Sequence, residues 1–321
     1  MNRRVILAIS LATLALASPA SAQNYPSKPI RVILPVPPGS ALDVTMRLVA
    51  EPMSQNLGQA LVIETRPGGG GIIGAQAVLQ APPDGYTIMG GASSVFTILP
   101  AQKEKPPINV NTAFTQIGIV LKAAMYLGVS PKLGVNTFAE FSAKARAAPG
   151  QLIVGTNGAG TLPHYTGLIL GTKANTPVTV LPYNTGGTVE AVKDIMGGRI
   201  HATLEGYGGL RGFVESGDLK VISIMSAERE PPLMDLPTMA ETIPGLTSVG
   251  FLTLSAPAGT PAPIVEKLNA ALNFALNQPN VKQRLVDLGM APAPMTPAQA
   301  MAFIESEQKV WWPIVEATNA N

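Results

Sequence analysis

Apolar residues in this chain cluster in short runs that stop at glycine or proline and then give way to stretches with apolar positions three and four apart. That is the alternation of buried strand and amphipathic helix. Ile30-Arg31-Val32-Ile33-Leu34 reads as a strand ending at Pro35, Pro37-Pro38-Gly39-Ser40 as a turn, and Asp43 as the start of a helix with Val44, Leu48, Val49 and Met53 on its apolar face. The unit recurs in Leu61-Val62-Ile63-Glu64, a glycine turn over 67–71 and a helix over 72–79. Thr87-Ile88-Met89 and Ile117-Gly118-Ile119-Val120 add two short strands. A second series opens with the strand Tyr126-Leu127-Gly128-Val129. The helix after it starts at the capping box Thr137-Phe138-Ala139-Glu140, whose hydroxyl and carboxylate satisfy free amide hydrogens. Leu152-Ile153-Val154, a turn over 155–161 and a helix over 162–173 follow. Next come Val178-Thr179-Val180-Leu181, a turn to Gly187, and a helix with Val189, Val192, Ile195 and Met196 on one face. Val221-Ile222-Ser223-Ile224-Met225 ends this half.

The remaining third holds one strand, Phe251-Leu252-Thr253-Leu254-Ser255. Thr260-Pro261 reads as a cap with a first-turn proline before a long helix, and Thr296-Pro297-Ala298-Gln299 as a second capping box. With too few strands for its own sheet, this third is expected to pack back on the first half. The expected fold is therefore α/β, each domain with a largely parallel sheet, with domain 1 discontinuous over 23–123 plus 252–321 and domain 2 over 124–251.

Composition narrows the class. Hydrophobic residues make up 46% and charged ones 13% of 321, and there is no cysteine, which excludes disorder and a disulfide scaffold; unperiodic glycine excludes collagen. Arg3-Arg4, an apolar run over 5–16 and Ala20-Ser21-Ala22 form the three parts of a secretory leader, expected to be cleaved after Ala22. Losing Arg3 and Arg4 leaves 20 basic and 20 acidic residues, so the formal charge becomes zero and a nucleic-acid role loses its electrostatic basis.

Catalytic signatures are sparse. His164 and His201 are not at a zinc-ligand spacing, and no Gly-x-Ser-x-Gly pentapeptide is present, which leaves an exported α/β hydrolase resting on His164 alone. Gly69-Gly70-Gly71-Ile72-Ile73-Gly74 matches the dinucleotide-binding pattern. The nearest acids, Asp84 and Glu104, fall too early and too late to complete it, so the segment reads as a glycine turn that lets a helix pack close to a sheet. More telling are the small, neutral turns where strands end and helices begin, at 38–43, 91–94, 155–161 and 184–187. Such turns converge at the carboxyl ends of α/β sheets, where helix N-termini can hold an anion without lysine or arginine.

Four motifs occur in order: Tyr25-Pro26-Ser27-Lys28-Pro29-Ile30-Arg31, Glu64-Thr65-Arg66-Pro67-Gly68-Gly69-Gly70-Gly71, Pro83-Asp84-Gly85-Tyr86-Thr87 and Ala256-Pro257-Ala258-Gly259-Thr260-Pro261-Ala262-Pro263-Ile264-Val265. In these the chain resembles the Bug/TctC solute receptors of tripartite tricarboxylate transporters, from Tyr25 to the last helix. The resemblance implies a two-domain periplasmic binding protein of type II-like fold, with two crossover hinges near 122–126 and 250–251 and the ligand cleft between domains. It implies a periplasmic monomer that captures a small organic acid, uses no cofactor or metal, and hands the ligand to an integral membrane pair (TctA/TctB-like). A membrane sensor kinase is the alternative partner. Ligand-binding positions carried over are Val36, Pro38, Gly39, Ser40 and Asp43, then Ala92, Ser93 and Ser94. In the other domain they are Thr156, Asn157, Gly158, Ala159, Gly160 and Thr161, then Tyr183, Asn184, Thr185 and Gly186, with Glu205.

This chain departs from the family pattern at Ser40-Ala41-Leu42, where glycines are usual, at Asn184, where lysine is common, and at Glu205, where aspartate is common. The changes remove positive charge and add apolar surface, which favours a monocarboxylate or aromatic acid over a tricarboxylate. Long side chains from elsewhere are the counter-case, and Arg211 is one candidate to reach the cleft. Glu205 has two readings: an acceptor for a ligand amine or hydroxyl, or a cap for a neighbouring loop.

Overall fold

A computed structural model describes residues 25–102 and 108–319. The leader expected over 1–22 and Glu104 lie outside them. The first strand-turn-helix unit is β1 (Ile30–Leu34), α1 (Ala41–Leu57) and β2 (Leu61–Thr65), followed by α2 (Ile72–Leu79), β3 (Thr87–Ala92) and the short α3 (Ser93–Thr97). The long β4 (Phe114–Ala124) leads directly into β5 (Tyr126–Val129). The second series is α4 (Phe138–Ala147), β6 (Ile153–Asn157), α5 (Leu162–Lys173), β7 (Thr179–Tyr183), α6 (Gly187–Met196), β8 (Ala202–Glu205), α7 (Tyr207–Glu215) and β9 (Lys220–Ile224). Then β10 (Val249–Pro257) returns, followed by α8 (Ala262–Asn277), α9 (Pro279–Asp287), β11 (Met290–Pro292) and α10 (Pro297–Asn319).

The strands form two sheets, β11-β4-β10-β3-β1-β2 and β7-β6-β8-β5-β9. Each is parallel in one half only, a correction to the largely parallel expectation. β1 runs parallel to β2 and β3, and β6 parallel to β7 and β8, whereas β10 is antiparallel to β3 and β4, and β5 antiparallel to β8 and β9. The reason is connectivity: β4 carries the chain out of the first sheet and β10 brings it back alongside, so the two must run in opposite directions. Met125 N donates to Ser248 O at 3.0 Å where the crossings lie side by side.

Both sheets are covered on both faces, which explains their continuous apolar runs. Val32 and Leu34 face Met46, Val49 and Met53 of α1 and Leu268 and Leu272 of α8, while Ile33 faces Val78 of α2 and Phe96 of α3. In the second sheet Leu127 and Val154 face Phe141 of α4 and Ile169 of α5, and Tyr126 and Ile224 face Val192 of α6 and Leu210 of α7. α10 serves both: Ala300 and Ile304 pack on the first sheet's core and Trp311 and Val315 on the second's.

Several local readings need correction. α1 starts at Ala41 rather than Asp43, because Ser40 Oγ accepts from Asp43 N at 3.4 Å while the Asp43 carboxylate accepts from Gly39 N at 2.9 Å. Its buried stripe runs through Met46, Val49, Met53 and Leu57, with Val44 exposed. Met196 is likewise exposed at the end of α6. Glu140 returns its bond to Asn136 N rather than Thr137 N, and Thr260 turns its hydroxyl back on Pro257 O instead of capping α8, whose cap position is Pro261. The box at Thr296 and Gln299 is complete, with reciprocal bonds of 3.0 and 3.3 Å.

Candidate functional site

Four helices begin at one place. α1 starts after Ser40, α3 after Ala92, α5 after Thr161 and α7 after Gly206, and Ser40, Ala92, Thr161 and Gly206 all line a single pocket. First-turn amides have no acceptor inside their own helix, and the N-termini of the longer helices α1, α5 and α7 each carry up to about half a positive charge. The ends sit together because each follows a strand whose carboxyl end opens on the gap between the sheets, the usual ligand position in such folds. The crossings close the back of the pocket with Ala123, Met125, Gly250 and Phe251. Val36, Pro37, Leu42, Leu162 and Pro163 complete an apolar wall.

Among the described residues, no lysine or arginine lines the pocket. Arg211 pairs with Glu215 at 2.6 Å one turn along α7. Among the described residues, the one ionisable side chain on the wall is Glu205, 4% exposed. Burial pushes its carboxyl above the ordinary carboxylate range, opposed by hydrogen bonds from Gly206 N, the Thr188 hydroxyl and the Asn157 amide.

Of the residues carried over from the family, Val36, Ser40, Ala92, Ser93, Ser94, Asn157, Thr161 and Glu205 line this pocket. Pro38 and Gly39 lie in the turn before α1, and Asp43 holds Gly39 N and Arg47 instead of facing the pocket. Thr156 is fully buried with its methyl toward Gly167 of α5 and its hydroxyl without a partner. The 158–160 turn is spent on internal bonds: Ala159 N donates to Asn184 Oδ1 at 3.0 Å and Gly160 N to His164 Nδ1 at 3.3 Å. Asn184 therefore braces the turn and Gly158 packs against it. Tyr183 bonds Asp194 through its hydroxyl at 2.6 Å, and Thr185 and Gly186 belong to a separate surface depression with Lys193 and Arg199.

Pro37, Ala41 and Leu42, within the loop over 36–43 that the family resemblance pointed to, also line the wall; residues not anticipated there are Ala123, Met125, Leu162, Pro163, Gly206, Gly250 and Phe251. Ala123, Met125, Gly250 and Phe251 fall on the crossovers that the family resemblance implied, and a crossover between two sheets necessarily passes the gap between them. Gly206 follows β8, a strand too short to stand out in the sequence.

The dinucleotide-like segment has a different place. A Cβ built on Gly70 would lie 3.0 Å from the Gly160 carbonyl oxygen, so the glycine turn before α2 touches the glycine turn before α5, backbone on backbone, across the two sheets. His164 stands just behind this contact, and burial lowers its imidazole below the ordinary 6.5. Below that value the unfolded chain binds a proton that the folded chain refuses, so stability falls as pH drops through the window. A His164→Gln variant should show a flatter melting temperature between pH 6.5 and 5 than the parent; equal slopes would mean that the histidine does not contribute.

The sequence profile of the family described as "Tripartite tricarboxylate transporter family receptor" matches residues 45–320. The chain belongs to this family. It is 30% identical to protein BugT of Bordetella pertussis, an alignment covering 98% of this chain and 97% of that one. Its fold superposes on a Rhodopseudomonas palustris protein solved with adipate at a TM-score of 0.87 and 27% identity, over 92% of this chain and 98% of that one. It matches MatC of the same species with bound malate at 0.84 and 28%, over 91% and 100%. The fold is that of a periplasmic binding protein, and it superposes on that of BugD at a TM-score of 0.85 and 27% identity, over 92% of this chain and 98% of that one.

Proposed function

We propose that this receptor captures a small organic acid in the periplasm between two closing lobes, 23–123 with 252–321 and 124–251, and presents it to an integral membrane pair. It does so as a binding protein and not as an enzyme. The observation that carries this is the meeting of four helix N-termini on an apolar pocket that no basic side chain lines among the described residues. Such ends bind a carboxylate through amides and the helix dipole, while the apolar wall takes the carbon skeleton. The relatives solved with adipate and malate support the ligand class. Closure would turn about the paired crossings at Met125 and Gly250, and a ligand favours the closed form only by the contacts it makes there.

The test is a thermal-shift panel of mono-, di-, tri- and aromatic carboxylates on the exported protein. An acid at 100 times its dissociation constant should add about 2.7 kcal/mol to stability. A panel in which no acid shifts the transition would defeat the proposal.

A further inference from the structure

The second-sheet lobe meets the turn before α1 through the starts of α6 and α7. A Cβ built on Gly187, the first residue of α6, would lie 2.9 Å from Pro37 Cγ, and one on Gly206 would lie 3.1 Å from Ala41 Cβ. One on Gly209 of α7 would lie 3.2 Å from Ala41 N. Pro37 and Ala41 line the pocket, so this seam closes one side of it. Contacts made by glycine backbone leave no side chain to take up an error in position, so the two helix starts have to be held in fixed relation. The Glu205 carboxyl holds them. Its Oε2 accepts from the Thr188 hydroxyl, on the first turn of α6, at 2.8 Å and from Asn157 Nδ2 at 2.5 Å, while Oε1 accepts from Gly206 N, at the cap of α7, at 2.8 Å. Asn157 Oδ1 returns to α6 by accepting from Thr188 N at 3.0 Å. One carboxyl thus ties the starts of α6 and α7 to the end of β6. The tie needs acceptor oxygens and no net charge: with a proton on Oε1, Oε2 still accepts from both of its donors, so the upward push of burial on this carboxyl leaves it intact.

Resting on the organic-acid reading of this pocket, we propose that Thr188 is a positioning residue for ligand capture: through Glu205 and Asn157 it fixes the start of α6 beside that of α7, so that both can close on Pro37 and Ala41. Thr188 is 3% exposed and stands behind the pocket wall rather than on it. Its partners Asn157 and Glu205 do line the wall, which connects the ligand to the seam. The tie acts on closure and not on the ligand's own groups, so it serves acids with one carboxylate or two alike. A ligand favours the closed form only by the contacts it gains there, and loosening α6 therefore weakens capture without removing any atom of the wall.

Calorimetry on the exported protein, with the acids that shift its melting in the carboxylate panel, tests this. Thr188→Val, which keeps the volume and removes the hydroxyl, should weaken every acid that the parent binds by about threefold or more. Thr188→Ser, which keeps the hydroxyl, should restore the affinity of the parent. Should the valine variant fail to fold, Thr188→Ala, with no branched methyl to crowd the carboxyl, carries the same expectations. The chain has no cysteine, so Glu51→Cys on α1 and Lys193→Cys on α6, both exposed, can carry a pair of spin labels across the seam. With saturating acid the parent should show one short distance by pulsed electron resonance, and the valine variant should keep a second, longer population. Unchanged affinity, an unchanged distance distribution, or a serine variant no better than the valine one overturns the role of Thr188 and leaves the organic-acid reading standing. A parent that binds no acid of the panel overturns that reading and this inference with it.

Discussion

Alanine at Gly70 or at Gly160 should weaken ligand binding about tenfold or more, although neither residue lines the pocket. Two costs arise, and they separate experimentally. Both residues have positive φ, +64° and +80°, where a Cβ costs roughly 1–2 kcal/mol. That strain is present whether the lobes are apart or together, so it lowers stability and leaves affinity alone. The second cost exists only when the two turns touch. A Cβ on Gly70 falls 3.0 Å from Gly160 O, and one on Gly160 falls 3.2 Å from Gly70 Cα. Backbone cannot swing aside as a side-chain end can, so the turns must separate, and the closed form loses the weight that the ligand would otherwise give it. Affinity for whichever acid the panel identifies, measured beside the denaturation midpoint, distinguishes the two. Lower midpoints with unchanged affinity would show that capture does not require these turns to meet.

Trp311→Ala should cost about 3–5 kcal/mol of stability, the range for truncating a buried aromatic. Trp311 is 3% exposed and packs with Val315 among second-sheet core residues, although it belongs to a helix whose earlier turns, at Ala300 and Ile304, are anchored on the first sheet. The loss therefore falls on the core that α10 shares between the sheets. Denaturant titration of the parent and the variant measures it; a midpoint change equivalent to under about 1 kcal/mol would mean that the indole is not packed as described.

Elements built from contiguous residues were legible along the chain. β1, β2, β5 and α5 coincide with apolar runs and caps because local sterics, hydroxyl capping and glycine turns act over a few positions. The boundaries that slipped did so through bonds with near neighbours that pattern alone does not rank, such as Ser40 taking the cap role ahead of Asp43. β8 and β11 escaped notice because strands of four and three residues leave too little pattern.

The site divided in another way. Where it lies follows from order in the chain: strand ends, small turns and two crossovers must meet between the sheets. Which atoms face it does not, because neighbouring residues on one loop point in opposite directions once the sheets are stacked. Thr156 and Asn157 are adjacent on β6, yet the first turns into the core and the second toward Glu205. Gly70 and Gly160, ninety positions apart, become neighbours only through packing, and no local rule of residue type or spacing brings them together. Residue chemistry and spacing thus set the fold class, the neutral character of the pocket and its location. Three-dimensional packing chose which donors stay free, which are consumed internally, and that a carboxylate of the chain itself sits among them.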